Sequence, residues 1–327
     1  MTPALRRILG RLIGSIPVLL IVVIGVFLLL NSAGGDAVDA YLASIGGGDA
    51  GLAAKLRAEH GLDQSIWRRL IFTLGRLAQG DLGWSVALNR PIAAVIAERL
   101  PNTLWLMGSA TALSFLAGSA LGILAGRRPG SAVDRLLSGG SLLLYSIPGF
   151  WLGLVLSVIF AVQLRWLPVS GIETIASGKT GMDRALDIAW HLVLPVSTLG
   201  MIYLALFLRV MRSGMAEAWS QDYILAARAR GLSESRIVLN HAARNALLPL
   251  ITLLGLQAAS MLGGSVVVES VFGVPGFGRL AQEAVAGRDT PLLLGVILVS
   301  AVLVILTNLL VDLAYGVIDP RVGRGGT

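Results

Sequence analysis

Six apolar runs, each about as long as a membrane crossing, decide what this chain can fold into. They cover residues 8–31, 103–126, 136–162, 190–211, 247–270 and 291–315. Crossing the hydrocarbon core takes about 20 predominantly apolar residues in a helix, because lipid offers no partner to an unpaired backbone N–H or C=O. Charged residues make up 14% of the chain and hydrophobic ones 55%, against about 25% charged in soluble domains. The expected fold class is all-α: a polytopic membrane protein with six transmembrane helices and a small helical external insertion after the first. That first run follows Arg6 and Arg7, and a signal peptide shares such a basic start and apolar middle. The stretch from Leu12 to Leu30 is closer to a full span than to a signal core, so it is read as uncleaved.

The arginines set the orientation. Arg127, Arg128 and Arg135 fall between spans two and three, and Arg209, Arg212, Arg228, Arg230, Arg236 and Arg244 cluster around the connection between spans four and five. With the N-terminus inside, 14 of the 26 basic residues lie on the inner side and 5 in the two short outer loops (Arg165, Lys179, Arg184, Arg279 and Arg288). The long first loop is left out of that count, since long loops translocate largely regardless of charge. Both termini are therefore expected inside. The net charge of +7 sits at the ends of apolar runs rather than on one basic face, which argues against nucleic acid. The expected organisation is a first span with its N-terminal segment (1–31), the external insertion (32–101), a five-helix core (102–315) and a cytoplasmic tail (316–327).

Within the insertion, Ile66, Leu70, Phe72, Leu74 and Leu77 recur at helical spacing with arginines between them. The helices are too short to span, so a small soluble cap is expected, with Trp67 and Trp84 at the interface. In the spans, Gly118, Gly122 and Gly126 form a four-residue ladder; Gly149 and Gly153 follow Pro148; Gly255, Ala259 and Gly263 repeat the spacing. Small residues at that period let helix backbones approach, either within this chain or against a second membrane subunit. Polar groups inside spans are few: Gln257, Glu269, Asn308 and Asp312, with Glu269 and Asp312 near span ends where water is reachable. No line of ionisable groups crosses the membrane, which argues against an ion-coupled secondary transporter.

Several motifs do not carry chemistry. Gly178-Lys179-Thr180 resembles the end of a phosphate loop, but the glycine required five positions before Gly178 is Glu173. GVPGFG at 273–278 has the wrong glycine order for a dinucleotide fingerprint and follows a span, so a re-entrant turn shaped by Pro275 is expected. With no cysteine, and with His60, His191 and His241 far apart, a clustered metal site gains no support. His191 reads as a satisfied interfacial histidine. No convergent catalytic set emerges, so a membrane enzyme is a distant alternative.

One stretch cannot sit in lipid. Residues 212–249 carry Arg212, Arg228, Arg230, Arg236 and Arg244 against Glu217, Asp222 and Glu234. QDYILAARAR favours helix, and Gly231 fits the residue just past a helix end. Ser233 then sits at an N-cap with Glu234 in the first turn. A second helix is expected through IVLNHAARNALL until Pro249 enters span five. The result is a helix–Gly–helix corner with small Ala226 and Ala227 on its surface, able to seat in a groove of another protein.

The spacing of Ala226-Ala227, three residues and Gly231 resembles the cytoplasmic EAA loop of ATP-binding-cassette importer permeases. DYILAARARGLSESRIVLNHAARNALLPLIT resembles the variant of that loop in the dipeptide, oligopeptide and nickel permease family. So do GLDQSIWRRL, LAQGDLGWS, RPIAAVIAERLPNTLWL, SIPGFWLG, RWLPVSG, VVVESVFGVPGFGRL and DLAYGVIDPRV, in order along nearly the whole chain. Leu225 stands where the general loop has its glutamate, the closing proline lies later at Pro249, and Ala243 replaces a larger apolar residue.

The resemblance implies a permease subunit of an ATP-driven, binding-protein-dependent importer of the bacterial inner membrane. Its substrate class would be dipeptides, oligopeptides, nickel complexes or glutathione. The partners implied are a homologous second permease, two ATP-binding-cassette ATPase subunits and an extracytoplasmic solute-binding protein. The chain itself would hold no cofactor; ATP and Mg²⁺ would sit on the ATPase subunits. Carried onto this sequence, the ATPase-coupling loop comprises Asp222, Tyr223, Ala226, Ala227, Arg228, Ala229, Arg230, Gly231, Leu232, Ser233 and Arg236. His241, Arg244, Asn245 and Pro249 lead into span five, and Pro148, Gly149, Glu269, Pro275, Gly276 and Gly278 are candidates for an outer gate or packing role.

Overall fold

The computed structural model describes residues 3–32, 38, 39, 42, 47, 50–59 and 61–318. The helices are α1 (Pro3–Ser32), α2 (Ala50–Glu59), α3 (Ile66–Ala78), α4 (Ile92–Gly126), α5 (Ala132–Ser146), α6 (Gly149–Ser157, continued by a π-helical run Val158–Gln163), α7 (Gly181–Ala218) and α8 (Asp222–Ala229). A turn at Glu234–Arg236 and a π-helical run Ile237–Ala242 lead into α9 (Ala243–Val271), followed by α10 (Phe277–Ala286) and α11 (Thr290–Ile318). Strands β1 (Trp84–Ser85) and β2 (Arg90–Pro91) pair antiparallel, Trp84 opposite Pro91 and Ser85 opposite Arg90.

Among the described residues, five stretches are long and apolar enough to cross a membrane: Ile13–Ser32, Ile92–Gly126, Gly181–Ala218, Glu234–Gln257 and Thr290–Leu310. The run expected as span three is not straight, because α5 and α6 meet at 100°. Ile147 precedes Pro148, whose ring pushes the preceding residue out of the helical region; Ile147 duly sits at φ −82°, ψ 128°. Counting the bent pair as one span gives six. Helix α4 begins at Ile92, inside the stretch assigned to the insertion. Nor does a break occur at Pro249, which lies within α9. A proline removes one hydrogen bond, and a membrane helix absorbs that loss where neighbouring groups re-satisfy the freed carbonyl. The side chains of Ala259 and Asp312 and the surroundings of Gly263 lie outside what is described, as does the tail from residue 319.

The chain divides into two compact units. The first comprises residues 1–101 and 275–309. In it, Leu70 of α3 packs with Val23 and Phe27 of α1 and Leu294 of α11, while Ile92, Val95 and Ile96 pack with Phe277, Leu280 and Ala284 of α10. The insertion is thus built onto the first and last spans. On α3, Trp67, Ile71 and Phe72 are all more than 60% exposed.

Asp289 joins the β-hairpin to the start of α11. Its side chain is wholly buried; one oxygen accepts from Ser85 Oγ at 2.7 Å and from the Ala87 N–H at 2.9 Å. The other accepts from the Leu292 N–H at 3.0 Å, which caps α11. Asp289→Ala removes the cap and leaves a buried hydroxyl without its acceptor, a loss of roughly 2–3 kcal/mol. The expected result is faster proteolysis within 84–91 and a lower thermal midpoint. An unchanged cleavage rate would show that the hairpin is held by other contacts.

The second unit comprises 102–274 and 310–327 and is organised on α7. Leu106 and Ala110 of α4, Leu192, Leu194 and Leu199 of α7, and Val268 and Phe272 of α9 form one core. Glu269, expected near water, is completely buried and accepts from Thr103 Oγ1 at 2.6 Å. A carboxyl in a span is retained where a partner replaces water, and Thr103 is such a partner.

Candidate functional site

The polar corner after span four is built on the last turns of α7. Met211, Met215 and Ala218 bury one face against Ile224 and Ala227 of α8 and against Ile237, Val238 and Ala242 of the following turn. Ile224 and Ala227 are three positions apart, so both point inward, and the opposite face carries Asp222, Leu225, Ala226 and Ala229 in the open. Ala227, expected on the surface, is therefore a core residue; Ala226 is the exposed one of the pair. Leu225 is 69% exposed, an apolar side chain at the centre of the outward face.

Helix α8 ends in a Schellman closure. The Gly231 N–H donates to the Arg228 carbonyl at 2.9 Å and the Leu232 N–H to the Ala227 carbonyl at 3.3 Å. Gly231 has φ +71°, and Leu232 folds back onto the core. Ser233 occupies the N-cap position, as expected, but its hydroxyl makes no capping bond; it lies 3.4 Å from Ser235 Oγ. The carbonyl of Ser233 instead accepts from the Arg236 and Ile237 N–H groups, each at 3.0 Å.

Arg228 spans the corner, 3.4 Å from Glu234 and stacked 5.3 Å over Trp219. Both charges are about half exposed or more, so the pair adds little stability. Trp219 donates Nε1–H to the Gly126 carbonyl at 2.8 Å, satisfying an orphan carbonyl at the end of α4. Tyr223, Ala229, Arg230 and Arg236 are exposed. Arg244 and Asn245 are also exposed, His241 is half-buried, and Asn245 Nδ2 donates to the His241 carbonyl at 3.1 Å.

Beneath the corner, Arg212 makes two bonds to Asp134, at 2.8 and 2.9 Å. The Asp134 carboxylate also accepts from the Gly130 N–H at 2.8 Å and from Ser138 Oγ at 3.1 Å. The end of α7, the loop after α4 and the start of α5 thereby share one buried acid.

The other candidate positions are divided between the two units. Pro148 opens α6 at the bend, and a Cβ on Gly149 would come within 2.7 Å of Ile202. With the buried Glu269, these belong to the second unit, whereas Pro275, Gly276 and Gly278 belong to the first. Gly276 is the N-cap of α10, and Gly278 is buried. Lys179, the tempting phosphate-loop lysine, is paired with Asp187 at 2.6 Å. Nearby, Glu173 bonds Arg184, which holds its carboxyl below the usual range. His191 is buried, with Nδ1 2.8 Å from the Asp187 carbonyl.

Comparison with known proteins decides what this arrangement belongs to. Residues 118–324 match the family described as binding-protein-dependent transport system inner membrane component. The chain belongs to that family. It is 37% identical over 317 residues to the oligopeptide transport system permease protein AppB of Bacillus subtilis, covering 96% of this chain and 98% of that protein. It is 39% identical over 319 residues to a probable peptide ABC transporter permease protein of Sinorhizobium fredii, covering 96% and 98%. Against the glutathione transport system permease protein GsiC of Escherichia coli it is 37% identical over 319 residues, covering 97% and 99%. A solved chain of the MetNI methionine ABC transporter, in inward facing conformations, matches with a TM-score of 0.55 over 70% of this chain and 98% of that one. At 19% identity, that match speaks to fold alone.

The chain is thus a permease subunit of an ABC importer, a membrane component that works with ATPase and substrate-binding partners. Two residues that support the permease's corner lie outside the coupling-loop motif. Trp219 lies one residue past α7, and its partner, Gly126, is 93 residues away. Asp134 carried a local signal, since Ser131-x-x-Asp134 is a capping-box spacing and the Ser131 hydroxyl does accept from the Asp134 N–H at 3.2 Å.

Proposed function

We propose that this permease forms half of the translocation pathway of an importer for peptides or related small solutes, and that α8 and the Gly231 corner are where ATPase subunits grip it. The other half is a homologous permease, two ATPase subunits bind from the cytoplasm, and an extracytoplasmic protein delivers the cargo. Both termini lie inside, as does the corner. The chain binds no nucleotide itself, and ATP and Mg²⁺ sit on the ATPase subunits. Peptide-type cargo is supported by the oligopeptide, peptide and glutathione relatives, each matched along nearly its whole length.

The observation that carries the coupling assignment is the split of α8 into two faces. Ile224 and Ala227 are locked into the α7 core, while Leu225, Ala226 and Ala229 point away with only small or apolar atoms. A short helix of this kind transmits a push because its inner face cannot slip against α7. Its outer face, with Asp222 in the first turn and Leu225 at the centre, offers a largely apolar contact in place of one through a glutamate.

Gly231 supplies the test. A Cβ at this position would meet nothing within 4 Å, yet φ is +71°. Substitution there acts through backbone conformation alone. Gly231→Ile places a β-branched residue in the left-handed region, at about 1–2 kcal/mol or more, whereas Asn tolerates that region. In proteoliposomes with the ATPase subunits and the binding protein, Gly231→Ile is expected to lose most peptide uptake while ATP hydrolysis continues. Gly231→Asn should retain both. Full ATP-driven uptake by the isoleucine variant would remove the corner from the coupling path.

A further inference from the structure

The first unit holds a cavity of about 490 Å³, walled by α3, the turn after it, the end of α1 and the start of α11. Its lining has two chemistries. Arg69, Thr73, Arg76 and Asp81 supply polar lining, and Phe27, Leu77 and Leu294 apolar lining. Phe27 and Leu294 belong to the lipid-length stretches Ile13–Ser32 and Thr290–Leu310, so the apolar side lies on membrane-crossing helices. Both guanidinium groups are carried on aromatic faces: Arg69 lies 6.0 Å over Phe27 and Arg76 5.6 Å over Phe72. Arg76 gives Nε–H to Asp81 at 2.8 Å, which orients its remaining donors.

The outer surface of α3 points the same way. Trp67, Ile71 and Phe72 are exposed beside Arg68 and Arg69. Exposed aromatics with arginines on a short amphipathic helix are the pattern of a helix lying in the lipid–water boundary. A water-facing surface would not carry them.

We propose that α3 lies in the bilayer interface and that this cavity binds the headgroup of an anionic phospholipid. The phosphate sits against Arg69 and Arg76, whose planar donor sets match phosphate oxygens. The first part of the acyl chains follows Phe27 and Leu294. Two arginines (Arg69 and Arg76) line the cavity with one carboxylate, Asp81, and the net positive charge selects an anionic over a zwitterionic lipid. A volume of this size matches small-ligand sites in general. The assignment requires only that the chain span the membrane, and is independent of what the importer carries.

Native mass spectrometry of the detergent-purified full chain, titrated with phosphatidylglycerol or phosphatidylcholine, tests it. Phosphatidylglycerol should occupy one site, and R69Q/R76Q should weaken that site by about ten-fold or more, since charge-assisted bonds to phosphate are the strong ones. Thr73→Trp fills the cavity and leaves both arginines and Asp81 in place. It should weaken the site similarly, and it serves if the double variant fails to fold. Equal affinity for phosphatidylcholine would overturn the proposal, as would displacement by glycerol phosphate, which would make the ligand a soluble phosphoester. Unchanged phosphatidylglycerol binding by Thr73→Trp would also overturn it. So would failure of a lipid-borne quencher to reach Trp67 in liposomes, since that result would place the face outside the bilayer interface and make it a protein-docking surface.

Discussion

Gly122→Leu is expected to leave almost no folded permease in the membrane, while Gly108→Ala on the same helix is tolerated. A Cβ at Gly122 would lie 2.5 Å from Met211 Cβ and 2.8 Å from the Leu208 carbonyl oxygen. Neither atom can rotate away, because one is fixed to the α7 backbone and the other is part of it. The same holds one turn up, where a Cβ on Gly118 would meet Phe207 Cβ at 2.7 Å, and one turn down, where Gly126 faces Met215. Overpacking typically costs about 1–3 kcal/mol where side chains can adjust. Here the two helices would have to part, and Phe207, Met211 and Met215, all fully buried, would lose their packing together. Gly108 has nothing within 4 Å of an added Cβ, and alanine there improves helix propensity by up to about 1 kcal/mol. Yields of monodisperse protein after solubilisation read the difference directly, and wild-type yield for Gly122→Leu would contradict the packing described.

That ladder also marks how far the sequence could be read. Four-residue glycine spacing announces a close helix contact but not the partner, and only the fold assigns Gly118, Gly122 and Gly126 to α7 of the same chain. The corner at Gly231 was legible because its signals are local: a helix-forming run, a glycine past its end and a following cap position. The inward turn of Ala227 was not, since it depends on the phase of α8 against α7, which Ile224 sets. The bend at Pro148 was hidden for a different reason. An unbroken apolar run from 136 to 162 looks like one span by hydropathy, and the pre-proline restriction on Ile147 is the only local sign against it. Glu269 was misplaced because distance from a span end says nothing about whether another helix offers a Thr103.

Arg212→Met is expected to destabilise the permease more than Asp134→Asn, although each removes one member of the same pair. The carboxylate is 3% exposed and the guanidinium 36%. When Asp134 loses its charge, Arg212 can turn its head toward water along a flexible stem. When Arg212 is removed, Asp134 stays buried with only the Gly130 N–H and Ser138 Oγ as donors. Breaking a buried pair costs about 3–5 kcal/mol, and the partial exposure of Arg212 lowers the expectation to roughly 2–3 kcal/mol for Arg212→Met. The double variant Asp134→Asn/Arg212→Met should recover much of that loss, because the buried charge is gone; a coupling of about 0.5–3 kcal/mol is the usual range for residues in one network. Thermal midpoints of the four proteins in one detergent give the order. Since Arg212 precedes Met215 and Ala218, on which α8 is packed, Arg212→Met should also reduce peptide uptake more than Asp134→Asn. Equal midpoints for the two single variants would mean that the carboxylate has access to water, and that the end of α7 is not held by this pair.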